Sequence, residues 1–295
     1  MQVVASRSES LYLSAKIGRR VPAGVSKITE SALASIPKLG FAVAKRLLGT
    51  RRLLYLAARA RRAELLEEFF TGDRATVRSG PFAGLRLLRG NSWGDGDSAA
   101  KALGCYEADL HPAIESLIER APPLIINVGC AEGYYAVGLA MRLPKTKVVA
   151  FDLDDSAREI CTQTAHANGV AGRVEIARRC DRAVLADALA GVTSAALILD
   201  CEGCEADLLL PRIDDAVLKC EILVESHDFV RSGMTLDLTD ALAPTHKVSA
   251  IRQGGRDPHA AGVLSSTSEL ERWILVDEGR PEPMTWLHAV PANNR

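Results

Sequence analysis

No stretch of eighteen consecutive apolar residues occurs in the 295-residue chain, so no membrane-spanning helix is expected. The N-terminus lacks the apolar core of a signal peptide. It is rich in Ser and Arg and poor in acids, and the same basic pattern runs on into residues that read as helix. Net charge is nearly absent at −1, which hides a division: residues 1–63 hold thirteen Lys/Arg and two Glu, about +11, and the rest is about −12. An acidic body argues against nucleic acid as a partner, because that binding rests on neutralising phosphates. A disulfide framework is also lacking: seven cysteines (105, 130, 161, 180, 201, 204 and 220) are odd in number and scattered, the pattern of reduced thiols in a cytoplasmic protein. Cys201-x-x-Cys204 has no second C-x-x-C to complete a zinc site. Internal repeats and low-complexity segments are absent. Hydrophobic residues make up 47% and charged residues 25%, so an ordinary globular chain is expected, as one large domain with an extension or as two small domains.

The most informative segment present is Leu124–Tyr135, L-I-I-N-V-G-C-A-E-G-Y-Y. An apolar run reads as a buried strand, Gly129 ends it, and a helical pattern begins around Gly133. A strand that turns sharply into a helix offers backbone N–H groups and a positive dipole end to a ligand, and glycine lets the ligand approach. The turn lacks the third glycine of a dinucleotide fingerprint and the lysine of a P-loop. Glu132 within it would repel a pyrophosphate, so a cationic ligand with an amino acid and a ribose suits it better. The next apolar run, Lys147–Asp154, ends in Asp152, roughly 20 residues on, where a carboxylate accepts hydrogen bonds from ribose hydroxyls. Asp154 is expected to cap the following helix.

Five motifs in order, N-V-G-C-A-E-G-Y-Y, A-F-D-L-D, A-N-G-V (167–170), D-C-E-G-C-E (200–205) and V-E-S-H-D-F (224–229), resemble those of FkbM-type class I S-adenosylmethionine-dependent methyltransferases. The resemblance covers about residues 103–230. It implies an α/β fold with a Rossmann-like, mostly parallel sheet whose last strand is antiparallel. It also implies S-adenosylmethionine as cofactor, held through Asn127, Gly129, Cys130, Glu132, Gly133, Asp152, Asp181 and Asp200. Many class I methyltransferases carry an acidic residue where Asn127 stands, so an ionic contact to the methionine amino group is lost from that position.

Residues 1–70 read as a basic helical extension, a lid or dimerisation arm or a surface for peripheral contact with an anionic membrane. Residues 71–104 read as a small β/loop lead-in, with a hairpin within Thr76–Leu88 and Trp93 packing on the domain edge. Residues 105–295 form the methyltransferase domain. Its expected elements are a helix over Tyr106–Arg120, a strand over 123–129, a helix over Glu132–Arg142 and a strand over 147–153. Helix Ser156–Asn168, strand Arg173–Arg178, a short helix near Ala183–Ala190, strand 195–200, helix 204–210 and strand 220–226 follow. His246–Arg252 and Thr285–Val290 are the last two strands, and Ser266 with Glu269 is expected to box the N-terminus of a helix reaching Asp277.

Polar clusters fall at the carboxyl ends of all five core strands, where open α/β sheets bind ligands. Asp181 is open to two readings, a partner for the adenine amino group, with Cys180 on the ring, or a helix N-cap. The resemblance implies that Asp200, after the fourth strand, faces the methyl group and the acceptor. His227 is the candidate general base, since an imidazole titrates near neutrality, with Asp228 or Glu225 to orient it. The same residues admit a second reading, Mg2+ held by Asp200, Glu225 and Asp228 and activating a diol. Glu107 is expected near the cofactor mouth and Tyr135 in helix packing. The expected reaction is O-methylation of a sugar, glycan or secondary-metabolite hydroxyl. The alternatives are a non-catalytic cofactor-binding scaffold and a nicotinamide-dependent oxidoreductase.

Overall fold

The computed structural model describes residues 46–67, 74–88, 97–259, 267–280 and 282–292. Expectations for residues 1–45, for Trp93 and for Ser266 lie outside these. The elements, in chain order, are α1 (Thr50–Glu67), β1 (Arg74–Thr76), β2 (Arg86–Leu88), α2 (Ser98–Leu103), α3 (His111–Arg120), β3 (Leu124–Val128), α4 (Tyr134–Arg142), β4 (Lys147–Phe151) and α5 (Asp155–Ala167). They continue with β5 (Val174–Ala177), α6 (Arg182–Leu189), β6 (Ala195–Leu199), α7 (Glu205–Leu209), β7 (Cys220–Ser226), α8 (Met234–Leu242), β8 (His246–Arg252), α9 (Glu269–Val276) and β9 (Thr285–Pro291).

Seven strands form one sheet in the order β5-β4-β3-β6-β7-β9-β8. Neighbours from β5 to β7 are parallel, while β9 runs antiparallel to both β7 and β8. This is the Rossmann-like arrangement expected, with the last strand reversed. Each strand splits its side chains by the period of two. Ile125 of β3 packs with the hairpin and helices α2 to α5, and Leu124, Ile126 and Val128 pack with α6, α7 and α8 on the other face. The strands are therefore apolar on both sides, as sheets covered twice must be. Order reverses between β3 and β6, and ligands bind at such a switch point.

Element ends differ from the sequence reading for identifiable reasons. Helix α3 starts at His111, because Pro112 suits a first turn and Glu107 is held at φ +47°. Helix α4 starts at Tyr134, since Gly133 at φ +93° cannot continue a right-handed helix. Strand β4 stops at Phe151, and Asp154 caps α5 through the N–H groups of Ser156 and Ala157. The capping box of α9 is formed by Ser268 and Glu271, with both reciprocal bonds present, and not by Glu269. The hairpin β1–β2 forms as expected, and Phe82 in its connecting loop meets the rings of Tyr134 and Tyr135 edge-on. No helix among the described residues is long and apolar enough to cross a membrane.

Helix α2 brings a charge into this core. Lys101, 6% exposed, ion-pairs with Glu132 and with Asp97, the latter at 2.7 Å, and its ammonium lies 4.7 Å from the Tyr106 ring centre. Breaking a buried pair from one side leaves an uncompensated charge. Lys101→Met is therefore expected to lower unfolding free energy by roughly 3–5 kcal/mol, and the double variant with Glu132→Gln to recover part of it. Urea denaturation checks this; a double variant no more stable than the single one would show that the pair is not the cause.

Candidate active site

The site begins at the turn after β3. Gly129 adopts φ +83°, and a Cβ there would fall inside the backbone carbonyl of Asp200, so only glycine lets the ends of β3 and β6 close up. The N–H groups of Gly129 and Cys130 both donate to the Phe151 carbonyl, at 2.8 and 3.0 Å. The Ala131 N–H donates to one oxygen of Asp152 at 2.9 Å, and the Asp154 N–H to the other at 3.0 Å. The turn is thus fastened to the end of β4. A carboxylate has about four acceptor positions, so Asp152 keeps capacity for two hydroxyls. Burial pushes its pKa up, opposed by those two N–H groups. Leu153, next in the chain, is 67% exposed and offers an apolar face beside it.

Asn127 donates from Nδ2 to the Ile198 carbonyl at 3.3 Å, while its Oδ1 is buried without a hydrogen-bond partner. An orphaned buried acceptor at a strand end is a place for a donor such as an ammonium group. Glycine turn, Asp152, Leu153 and the free Asn127 oxygen together fit an amino-acid nucleoside such as S-adenosylmethionine. Cys130 is buried, close to Cys161. Glu132 is buried and paired with Lys101, so the repulsion of pyrophosphate inferred from its charge is cancelled. Asp181 takes the capping one of its two readings, accepting from the Val184 N–H at 3.0 Å. Burial pushes the neighbouring Cys180 thiol up to about 12.

Strands β6 and β7 bring a second group together around His227, which is 1% exposed. Its Nε2 lies 3.2 Å from Glu225, 3.5 Å from Asp200 and 3.7 Å from Glu202. Its Nδ1 lies 3.0 Å from Glu205, close but not aligned as a hydrogen bond. Burial would lower the imidazole pKa, yet Glu205 and Glu225 outweigh it and raise it to about 12. His227 is then an imidazolium at neutral pH and cannot serve as the base expected of it. Burial also opposes the charge of Glu225, but Arg280 and His227 bring that carboxyl down to about 2. Asp200 goes the other way: burial, then the charge of Glu225, drives it well above the carboxylate range. Its side chain keeps 24% of its surface open although it sits deep among protein atoms.

Asp228 does not join this group. Its carboxylate binds the Thr235 hydroxyl and N–H at the start of α8, an N-terminal position that rewards an acid. The metal set expected from Asp200, Glu225 and Asp228 is therefore not assembled. Asp200, Glu225 and His227 are the one set of three potential metal donors among the described residues, with ligand atoms within 4.8 Å of one another. Mg2+ takes oxygen ligands in octahedral geometry, so a set that includes an imidazole matches it poorly.

Residues without a sequence motif complete the site. Arg280 ion-pairs with Glu225, Glu107 and Glu278, the last at 3.0 Å, and its guanidinium lies 5.7 Å from the Tyr106 ring centre. Glu107 also accepts from the Tyr135 hydroxyl, and burial raises its carboxyl to about 7 against the pull of Arg280. Four buried acids, Glu107, Glu205, Glu225 and Glu278, crowd around Arg280 and His227 and require cations. That requirement is the signal that could have led to Arg280. Cys201 and Cys204 are joined by a disulfide, contrary to the expectation of reduced thiols throughout; two residues of intervening chain and adjacent turns bring their Cα atoms to 5.5 Å.

No family model matches the chain. The release factor glutamine methyltransferase of Chlorobaculum tepidum is 34% identical over 116 residues, 37% of this chain. The match spans about a third of that relative, 35% of its length. Among solved structures, an O-methyltransferase of Streptomyces achromogenes in complex with SAM covers 79% of this chain and 89% of its own, at 16% identity and a TM-score of 0.41. An O-methyltransferase of Bacillus cereus in complex with SAH covers 59% of this chain and 77% of its own, at 13% identity and a TM-score of 0.39.

The charge cluster sets a pH dependence. His227 is raised from 6.5 to about 12, so its contribution to stability is full below 6.5 and is lost as pH rises towards 12. Asp200, raised as an acid, also lets stability fall as pH rises. Glu225, lowered from 4.5 to about 2, contributes above 4.5 and loses that share as pH falls towards 2. Unfolding free energy is expected to decline between pH 7 and 10, and His227→Gln to make that decline shallower. Equal slopes for the two proteins would remove His227 as the proton holder.

Proposed function

We propose that the chain is an S-adenosylmethionine-dependent methyltransferase of FkbM type that methylates a hydroxyl oxygen of a small-molecule or glycan acceptor. The observation that carries this reading is Asp152 at the end of β4, tied by the Ala131 N–H to the glycine turn after β3. The name of the Chlorobaculum relative supports methyl transfer and gives amide nitrogen as a second acceptor class to be tried. S-adenosylmethionine, when bound, supplies a methyl group on a positively charged sulfur that needs no further activation to leave. Asp152 would hold the ribose hydroxyls, Leu153 would cover an apolar ring face, and the Asn127 oxygen would accept from the amino group. The enzyme's main task is then alignment.

A hydroxyl acceptor must also lose a proton. Asp200 is the group placed to take it: partly open, at the switch point, and 3.5 Å from His227, whose positive charge works against the burial and the Glu225 charge that raise its pKa. His227, as a fixed imidazolium, orients the carboxylates around it. Calorimetry with S-adenosylhomocysteine is expected to show binding by the wild type. Asp152→Ala should weaken it roughly ten- to a hundredfold, the worth of hydrogen bonds to a charged group. Asp200→Asn should keep that binding and lose about 10²–10⁴ in turnover across a panel of glycans and glutaminyl peptides. A folded wild type that binds NADH and not S-adenosylhomocysteine would replace this reading with the oxidoreductase, and binding without turnover on any acceptor would favour the scaffold.

Residues 1–70 are proposed to rest on an anionic membrane. On α1, Leu54 is 64% exposed and shares a helix face with exposed Arg51. Full-length protein should co-float with vesicles containing phosphatidylserine and not with neutral ones; equal behaviour with both would end this part of the proposal.

A further inference from the structure

The loop that follows β6 carries the D-C-E-G-C-E motif, and its two cysteines take no part in the chemistry above. They are bonded to each other and both are partly exposed, while Cys105, Cys130, Cys161 and Cys220 are buried free thiols. Between them the backbone takes two left-handed conformations in succession, Glu202 at φ +57° and Gly203 at φ +112°. The first is unfavourable for a residue with a side chain, so something must hold it. Two devices do so. One is the covalent ring. The other is Glu205, 0% exposed, whose two oxygens accept from the N–H groups of Cys201 and Gly203, each at 2.8 Å.

That loop touches both halves of the candidate site. Glu205 is the residue 3.0 Å from His227 Nδ1. On its other side the Asp200 carbonyl fills the space a Gly129 side chain would need, and the Cys201 Cα lies 3.3 Å from that same point. The disulfide loop thus meets the His227 cluster through Glu205 and the glycine turn through the Asp200 carbonyl and the Cys201 Cα.

We propose that Cys201 and Cys204 are a thiol–disulfide exchange site that fixes this loop and thereby the cofactor turn. A dithiol reductant attacks one sulfur through its thiolate and forms a mixed disulfide. Its second thiol then displaces the protein sulfur. Two electrons and two protons pass to the protein, which ends with two thiols, and the reductant ends as a cyclic disulfide. In the reduced form the left-handed pair at Glu202 and Gly203 is held by Glu205 alone, and Gly129 loses its rigid neighbour. The effect on affinity rests on the cofactor reading above.

The test uses full-length protein equilibrated with oxidised or reduced dithiothreitol. Maleimide labelling of the denatured chain, read by mass, is expected to find two thiols fewer in the oxidised form. Calorimetry should show S-adenosylhomocysteine bound about tenfold more weakly by the reduced form. Cys201→Ser and Cys204→Ser should each bind weakly whatever the redox state, and the wild-type comparison stands even if a variant fails to fold. An unchanged thiol count overturns the proposal, and so does equal affinity in the two states. If neither form binds S-adenosylhomocysteine, the cofactor reading falls. Hydrogen exchange at the Cys201 and Gly203 amides then decides: faster exchange on reduction supports the exchange site, and equal protection overturns it.

Discussion

Arg280 engages three carboxylates at once, and the ends of strands β6 and β7 depend on it. Glu225 is buried in the sheet, and burial alone would push its pKa up as it does that of Asp200. With Arg280 on one side and His227 on the other it stays ionised. An ionised Glu225 in turn keeps His227 charged and pushes the Asp200 proton towards higher pH. One guanidinium, reaching the cluster from the segment just before β9, thus acts on Glu225 directly and on His227 and Asp200 through it. Groups coupled this closely cannot be reassigned one at a time. The wider ladder continues through Glu278 to Arg256 and Asp109, so each buried charge has an opposite neighbour.

The place of this cluster follows from topology. Strand β3 turns towards β4 on one side and β6 on the other, and the chain leaves the sheet in different directions at the two ends. Gly129 allows the β3 turn and the β6 loop to touch, which brings Asp152 and Asp200 to the same edge of the sheet. A larger residue would part them. The separation between Asp152 and Asp200 is then a property of strand spacing, about 4.8 Å per strand, and not of flexible side chains.

Much of this was legible in the chain. Continuous apolar runs marked β3, β4, β6 and β7, and the abrupt change to acid after each run marked the functional edge. Gly129 and Asp152 could be picked out because their roles depend on local backbone and on a fixed interval. What a side chain pairs with was not legible. Asp228 stands in V-E-S-H-D-F beside His227, yet it turns to Thr235, because a helix starts there and its N–H groups need an acceptor. Glu132 looked like part of a cradle until Lys101, 31 residues earlier, took its charge. Arg280 lies 55 residues from Glu225 in sequence, with no motif around it. An isolated imidazole titrates near neutrality, but His227 has four carboxylate neighbours, Glu225 in β7 just before it and Asp200, Glu202 and Glu205 in the stretch after β6.

The preference for a cationic nucleoside over a pyrophosphate survives this correction on other grounds. Glu132 no longer contributes to it, being neutralised beneath the turn. What remains at the mouth is Asp152, Asp200 and Glu202, the last two 24% and 32% open. Lys101, His227 and Arg280, the buried cations described in the site, are each engaged by carboxylates and are not offered to an anionic ligand. A positively charged sulfur and an ammonium group meet the reverse situation. They find acids that are partly open and the Asn127 oxygen with no partner. The charge selectivity therefore belongs to the strand ends as a group, and the neutral residue at position 127 is compatible with it because the neighbouring strands carry the negative charge.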